Sequence, residues 1–291
     1  METVHTDVKM NGKLFLCATP IGNLDDITLR VLDTLKSVDV IAAEDTRQTI
    51  KLLNHFGIKT PMTSYHNFNR FDKADELVKM MEKGKNVALV TDAGTPGISD
   101  PGEELVKAAA AAGIEVTSLP GPAACVTALT MSGLSTGRFC FEAFLPSEKK
   151  DRDAVLRELE SETRTIVIYE APHRLKKTLA LLSDALGDRK ISVCREMTKL
   201  HEEVIRTTIS GAAAHFEGEE PRGEFVLVIE GKSRRELELE EAKKWEGVSV
   251  REHVEGYIAA GDDKKTAMKK AAADRGVSKR EIYSSMLEEN N

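Results

Sequence analysis

Cysteine is scarce in this chain, and what there is stays scattered. Cys17, Cys125, Cys140 and Cys194 form no C-x-x-C pair, which removes the usual zinc and dithiol spacings. Cys17 and Cys194 fall inside apolar strand patterns, so buried thiols in a reducing, cytoplasmic setting are expected rather than a disulfide framework. The seven His residues fall into no metal-ligand spacing, and no metal is expected. No apolar run reaches the ~18 residues of a membrane-spanning helix, so no membrane partner is expected. The opening METVHTDVKMNGK has no basic-then-apolar leader pattern and reads as a short tail. Two nucleotide signatures are missing: G-x-x-x-x-G-K-[ST] anywhere, and G-x-G-x-x-G after the first strand. P-loop and standard dinucleotide readings are therefore poor. Positive charge is not in excess, with 41 Lys and Arg against 48 Asp and Glu and a net charge of −7. That argues against coating by nucleic acid over the whole surface.

What is present is an alternation of short apolar strands and amphipathic helices over 291 residues, long enough for about two domains with real cores. The first strand is read at 13–19, and its exit turn holds Pro20, Gly22 and Asn23. Asp25 or Asp26 is placed to cap a helix from about Ile27. A second strand, 38–43, ends in Glu44-Asp45-Thr46-Arg47, and a helix follows to about 56. An extended piece at 60–67 precedes a helix at 72–83. Strand 114–119 leads into Pro120-Gly121-Pro122 and a helix to about Met131. Strands alternating with helices mean a parallel sheet with helices packed on it. The polar loops 20–26, 44–47, 92–102 and 120–124 then gather on one rim, where open α/β sheets bind ligands.

Val87 to Gly102 is the densest of these segments. A buried strand, Val87-Ala88-Leu89-Val90, breaks into a loop with Gly94, Pro96, Gly97, Pro101 and Gly102, and a helix follows. Any single acid there, Asp92 or Asp100, is accounted for by turn chemistry. Two prolines and three glycines around so many donors and acceptors point further, to a rigid wall for a small polar ligand.

The texture changes near Pro146. The run SEKKDRD, 147–153, is charged and nearly free of apolar residues, and reads as a linker or the start of a second domain. This divides the chain into 1–145, 146–231 and 232–291. In the second part, strands are read at 165–169 and 191–194. The pieces 204–209 and 225–229 are read as adjacent strands of a mixed sheet. From Lys232 the sequence is helical and charged. Lys264 to Arg280 holds seven Lys and Arg and one acid, Asp274. Two helices flank the Gly276-Val277-Ser278 turn, with Ser278 as N-cap, in a helix-turn-helix outline. RNA contact through this module and a plain stabilising hairpin are equally open readings.

The segments ATPIGNLDDITLR, VDVIAAEDTR, TDAGTPGISDPG, LPGPAA and YEAPHR, in this order, make the chain resemble the ribosomal RNA small subunit methyltransferase I family. That family is the RNA-modifying branch of the tetrapyrrole (corrin/porphyrin) methylase superfamily. The likeness runs from about Lys13 to Gly231, and the C-terminal helices resemble the family's appended domain. Tetrapyrrole-modifying relatives carry G-x-G-P-G and G-G-D-P turns. Here the matching places read Pro20-Ile21-Gly22-Asn23 and Ala93-Gly94-Thr95-Pro96, which favours the RNA branch.

The resemblance implies an α/β, two-domain tetrapyrrole-methylase fold, with a largely parallel first sheet, a mixed second sheet and a C-terminal helical extension. It implies a homodimer that binds S-adenosylmethionine in the cleft between the two α/β domains. It implies 2′-O-methylation of a cytidine in the decoding region of small-subunit (16S) rRNA, with the assembled 30S subunit as expected partner. Cofactor contacts carry over to Pro20, Ile21, Ala93, Gly94, Thr95, Ile98, Ala123, Ala124, Tyr169, Glu170, Cys194, Glu224 and Phe225. A ribose hydroxyl needs alignment and a base, and the candidates are Glu170, His173, Glu44, Asp45 and Asp100, unranked. Arg47 and Arg174 are candidate phosphate anchors; Lys269, Lys270, Lys279 and Arg280 are candidate RNA contacts of the extension. Two other functions compete. One is a tetrapyrrole or other small-molecule methyltransferase on the same fold, and the other a non-catalytic RNA-binding protein.

Overall fold

The computed structural model describes residues 11–245 and 247–288; most of the expected N-terminal tail lies outside them. The first sheet holds β1 (Lys13–Cys17), β2 (Val40–Ala43), β3 (Met62–Ser64), β4 (Val87–Val90) and β5 (Glu115–Leu119). Their order is β3-β2-β4-β1-β5, and every pairing is parallel. Around them run α1 (Leu29–Ser37), α2 (Thr46–His55), α3 (Arg70–Glu82), α4 (Gly102–Ala111) and α5 (Ala124–Met131). The period-two alternation of the strands divides the core into two layers. Leu14, Leu16, Val87 and Leu89 pack with Leu77, Met81 and Leu105 of α3 and α4 on one face. Cys17, Ile41, Ala88 and Val90 pack with Val31, Leu35 and Leu53 of α1 and α2 on the other. The cap at the first turn differs from expectation. Asn23 caps a single 3-10 turn, Leu24–Asp26, and Thr28 caps α1 through the Val31 amide.

The second sheet holds β6 (Phe139–Phe144), β7 (Thr165–Glu170), β8 (Lys190–Arg195), β9 (Glu203–Thr208) and β10 (Phe225–Ile229), in the order β6-β7-β10-β8-β9. It is mixed: β6 runs parallel to β7, and the remaining pairs are antiparallel. α6 (Lys149–Glu160), α7 (Leu175–Leu186) and α8 (Ile209–Glu217) supply the helices over one face. Two expectations change here. β9 and β10 are not neighbours, because β8 lies between them. FVLVI is buried at every position and takes the centre, whereas EVIRTT is half exposed and takes the edge. The charged run at 147–153 is no linker but the approach to α6 and its first turn. β6 already belongs to the second sheet, so the crossover falls in the small and polar stretch 132–138, ahead of the 145/146 division.

α5 comes from the first half of the sequence yet packs on the second sheet. Its Cys125, Ala128 and Leu129 share a core with Val167, Cys194, Val226 and Val228. All four cysteines are free thiols, and burial pushes the Cys17 thiol up to about 12.

Beyond α9 (Arg234–Lys243), the helices α10 (Val250–Ala259), α11 (Lys264–Asp274) and α12 (Lys279–Glu288) build a small core from Val254, Ala267, Met268, Ala271, Ala272 and Ile282. Ser278 caps α12 as expected: the Glu281 amide donates to its Oγ, and its own amide donates to Glu281 Oε2. Among the described residues, no helix is long and apolar enough to cross a membrane. A polar knot ties the module together. His253 is buried, stacks on Trp245 at 3.5 Å, and lies 3.1 Å from Asp274 Oδ2 through Nε2. Arg275 Nε donates to His253 Nδ1 at 3.1 Å, and its Nη2 donates to the Val248 and Ser249 carbonyls. Arginine has only donors, so the His253 proton sits on Nε2 and the imidazole is neutral. Burial, with Arg275 adding to it, holds the His253 pKa below that of a free histidine. Below pH ~6.5 the unfolded chain takes up this proton before the folded one does. Stability of the C-terminal module should therefore be full above that pH and fall as pH drops below it. Faster hydrogen exchange of α10 and α11 amides at pH 5.5 than at 7.5, after correction for intrinsic rates, is the expected reading; His253→Gln should lose the pH dependence.

Candidate active site

The exits of β1, β4 and β5 are stitched into one wall. Thr19 and Gly94 exchange both backbone hydrogen bonds, at 2.9 and 3.0 Å. Thr95 Oγ1 donates to the Pro122 carbonyl at 2.9 Å. Gly94 sits at φ +83, and a Cβ there would press on Ile21 at 3.3 Å. Asp100 holds the next turn: its carboxylate accepts from the Gly97, Ile98 and Gly102 amides at 2.8–3.0 Å.

The opposite wall comes from the ends of β7 and β8 and the start of β10, which antiparallel pairing brings to one edge. The two walls meet closely. The Asn23 amide donates to Thr198 Oγ1 at 3.0 Å, and a Cβ on Gly22 would overlap Lys199 and Thr198 at 2.5–2.6 Å. Lys199 is itself clamped by Glu196 and Glu224 at 3.0 and 2.7 Å.

Between the walls lies a cavity of about 320 Å³. Ile21, Ala93, Gly94, Thr95, Ile98, Ala123, Ala124, Tyr169, Glu170, Glu224 and Phe225 line it, so eleven of the thirteen sequence-derived cofactor positions converge. Pro20 lines an adjoining cavity instead. Cys194 is fully buried beneath, its Sγ 3.9 Å from the Ala128 carbonyl, and is not among the lining residues. Phe144, Ala171, Pro172, Met197 and Val226 also line the cavity. Ala171 and Pro172 were within reach of sequence reasoning, since they sit inside YEAPHR. Phe144 and Met197 carried no local signal, and only the sheet pairing brings them in.

The adjoining cavity, about 490 Å³, has a mixed lining that is more polar than that of the first, and it shares Ile21, Ala93 and Glu224 with it. Gln48, Lys51 and His55 of α2 line it with Thr91, Asp92 and Lys199. None of these was singled out as a group, because three come from a helix face with no motif. Glu44 lines neither cavity but stands behind the lining residue Thr91, its Oε2 accepting from Thr91 Oγ1 at 2.7 Å. Burial, and then the neighbouring Asp92 and Asp100 carboxylates, push the Glu44 carboxyl up. Asp92 is raised as well, chiefly by burial.

The remaining candidates are distributed differently. The Glu170 side chain is buried and engaged by the Ala171 amide, Thr178 Oγ1 and Arg174. Arg174 also donates to the Leu145 carbonyl at 2.6 Å, which makes it a strut inside the second unit. His173 is exposed on the turn before α7 and lines neither cavity. Asp45 is held at about 2 by Arg47, which chelates it through Nε and Nη2. Lys269, Lys270, Lys279 and Arg280 are all exposed, and Lys270 pairs with Asp262 at 2.6 Å.

A parallel sheet facing a mixed one across such a cavity is the architecture of the tetrapyrrole methylases. The family model "Tetrapyrrole (Corrin/Porphyrin) Methylases" matches residues 13–213. Among solved structures, a diphthine synthase superposes with a TM-score of 0.61 at 13% identity, covering 76% of this chain and 91% of the other. A uroporphyrin-III-C-methyltransferase from Thermus thermophilus gives 0.55 at 20% identity, covering 75% and 94%. These likenesses concern the fold. Sequence relatives go further. Ribosomal RNA small subunit methyltransferase I of Bacillus subtilis (strain 168) is 50% identical over 285 residues, 96% of this chain and 97% of that one. The protein of that name from Synechocystis sp. is 46% identical, covering 95% and 98%. The one from Thermotoga maritima is 47% identical over 221 residues, 76% of this chain and 99% of its own length. The chain therefore belongs to the ribosomal RNA small subunit methyltransferase I family, within the tetrapyrrole methylases. Its cofactor is S-adenosylmethionine, and the cavity suits it. Ile98, Phe144, Tyr169, Met197 and Val226 give apolar surface for a purine, and small residues at 93, 94, 123 and 124 leave backbone open to a polar chain.

Asp100 serves the loop: of the three amides that donate to it, only that of Ile98 belongs to a cavity-lining residue. Asp100→Asn removes the charged acceptor of three amides. Cofactor affinity should fall about tenfold or more, measured by calorimetry, and turnover should fall with it. Turnover lost at unchanged affinity would contradict the structural role.

Proposed function

We propose that the chain methylates the 2′-hydroxyl of a cytidine ribose in the decoding region of small-subunit (16S) rRNA, acting in the cytoplasm as a homodimer on the assembled 30S subunit. The observation that supports this most is the pairing of a cofactor-sized, largely apolar cavity with a more polar one across Ile21, Ala93 and Glu224. The first accepts the cofactor through Ile21, Ala93, Gly94, Thr95, Ile98, Ala123, Ala124, Tyr169 and Phe225. The second is lined by Gln48, Lys51 and His55, groups suited to ribose and phosphate oxygens.

S-adenosylmethionine supplies a sulfonium-activated methyl group, so the protein's task is alignment and proton removal. Pinned loops on both sides keep the acceptor oxygen in line, and such positioning is worth several kcal/mol of barrier. Glu44 is the base of this reading. Of the candidates it alone joins a hydrogen bond to a residue of the second cavity's lining, Thr91, with a carboxyl raised above the ordinary glutamate range. Asp92, on the cavity wall, passes the proton to it or holds the hydroxyl. A 2′-hydroxyl requirement also separates RNA from DNA.

The exposed Lys269, Lys270, Lys279 and Arg280 add capture of the folded subunit through phosphate contacts. The Thermotoga maritima relative is matched almost end to end by 221 residues of this chain, about the length of the two α/β units. That supports a chemistry contained in those units and an accessory role for the helices.

Nucleoside mass spectrometry of small-subunit rRNA from cells with and without the gene tests the reaction. One 2′-O-methylcytidine should vanish when the gene is removed. Label transferred to a porphyrinoid, with rRNA unchanged, would replace this reading with small-molecule chemistry. For the base, Glu44→Gln should lower kcat about 100-fold at unchanged cofactor affinity. A raised carboxyl pKa means that wild-type activity falls as pH drops through a value above 4.5, and this acid limb should disappear in the variant.

A further inference from the structure

The loop between β3 and α3, Tyr65-His66-Asn67-Phe68-Asn69, and the Arg70-Phe71 start of α3 line neither cavity described above. They carry Phe68, the most exposed large hydrophobic side chain among the described residues at 99%, and Phe71 at 62%. A large ring held in water is unfavourable to the isolated chain, so it asks for a partner.

The loop is built to present that ring. Tyr65 is buried, its amide donates to the Ala43 carbonyl at 2.7 Å, and its hydroxyl donates to the Pro101 carbonyl at 3.0 Å. The loop is thereby fastened to the end of the cofactor-binding segment. Asn69 closes it from within, accepting from the His66 amide at 2.8 Å and donating to the Ser64 carbonyl at 3.3 Å. The His66 ring braces Phe68 edge-on, 6.0 Å away, and its buried Nδ1 has no hydrogen-bond partner. Arg70 lies over the Phe71 ring at 4.7 Å and donates to Asn67.

Position and side-chain chemistry select the occupant. β3 is parallel to β2 and next to it, so this loop stands on the same rim as Glu44, Asp92 and the cofactor segment. The loop itself holds no acid, and the first turn of α3 adds Arg70 and Asp72. Two rings split by an arginine are far less apolar area than the ~800 Å² per partner of a stable protein interface. Aromatic rings interleaved with arginine and asparagine are the chemistry that holds unstacked bases of single-stranded RNA.

Building on the rRNA reading above, we propose that Phe68 is a stacking platform for a base of the rRNA strand flanking the acceptor nucleotide, with Arg70 on Phe71 as a second, cationic layer. Phe68 positions the strand and takes no part in the chemistry.

The test uses the full chain and small ribosomal subunits purified from cells lacking the gene. Phe68→Ala should raise KM for subunits about tenfold or more, with cofactor affinity and the mass in solution unchanged. Phe68→Trp should restore KM, and Phe68→Leu should not, because stacking needs a π face. Wild-type KM in Phe68→Ala overturns the proposal. So does full rescue by Leu, which would mean plain apolar packing, or a changed mass, which would make the loop a contact between copies. If the wild-type enzyme itself transfers no methyl to subunits, the rRNA reading falls and the proposal with it. Normal wild-type transfer alongside an indifferent Phe68→Ala refutes the stacking role alone.

Discussion

The two-way backbone pairing between Thr19 and Gly94 is the constraint from which the rest of the site follows. Parallel strands leave their exit loops unpaired, and an unpaired loop is free to wander. Here the β1 and β4 exits are locked to each other, and Thr95 adds the β5 exit through Pro122. Gly94 is the residue that permits this. Its positive φ suits glycine, and Ile21 stands where a side chain would begin. Three loops thus behave as one surface, and the second sheet is brought up to that surface rather than to three separate ones.

Much of this was readable in the residues themselves. Alternating strand and helix patterns, with glycine and proline at each strand exit, announce a parallel sheet with a working rim. The family resemblance, rather than the residues alone, supplied Ile21, Ala93, Gly94, Thr95, Ile98, Ala123, Ala124, Tyr169 and Phe225, and the chain folds so that they share a cavity. Motif reasoning sees local runs, however, and the second cavity is assembled from separated ones. Gln48, Lys51 and His55 are one helix face, indistinguishable in sequence from any solvated face. Lys199 enters only because β8 ends opposite β1. The order β7-β10-β8-β9 was equally out of reach locally. Which apolar strand takes the middle depends on total burial, and FVLVI outcompetes EVIRTT for that place.

Acidic and basic candidates separated by a different physics. A charge in sequence says nothing of what already holds it. Asp100, Glu170 and Arg174 look available on paper, yet each is committed to backbone or to a neighbouring side chain. Asp45 and Arg47 neutralise each other on the surface. Glu44 stands out only once burial and its companions are known.

The placement of α5 carries a consequence for how the molecule comes together. This helix is reached through the first sheet's last loop, but its apolar side is completed by Val167, Cys194, Val226 and Val228. Apart from α5 itself, only Ile21 of the N-terminal half joins the buried part of this core, so most of what α5 packs against lies in strands that come later in the chain. Ala123 and Ala124, at the start of this helix, line the cavity wall and pack against the same core. The cofactor pocket is thus complete only when the second sheet is, since one of its walls rests on a core shared by both halves of the chain.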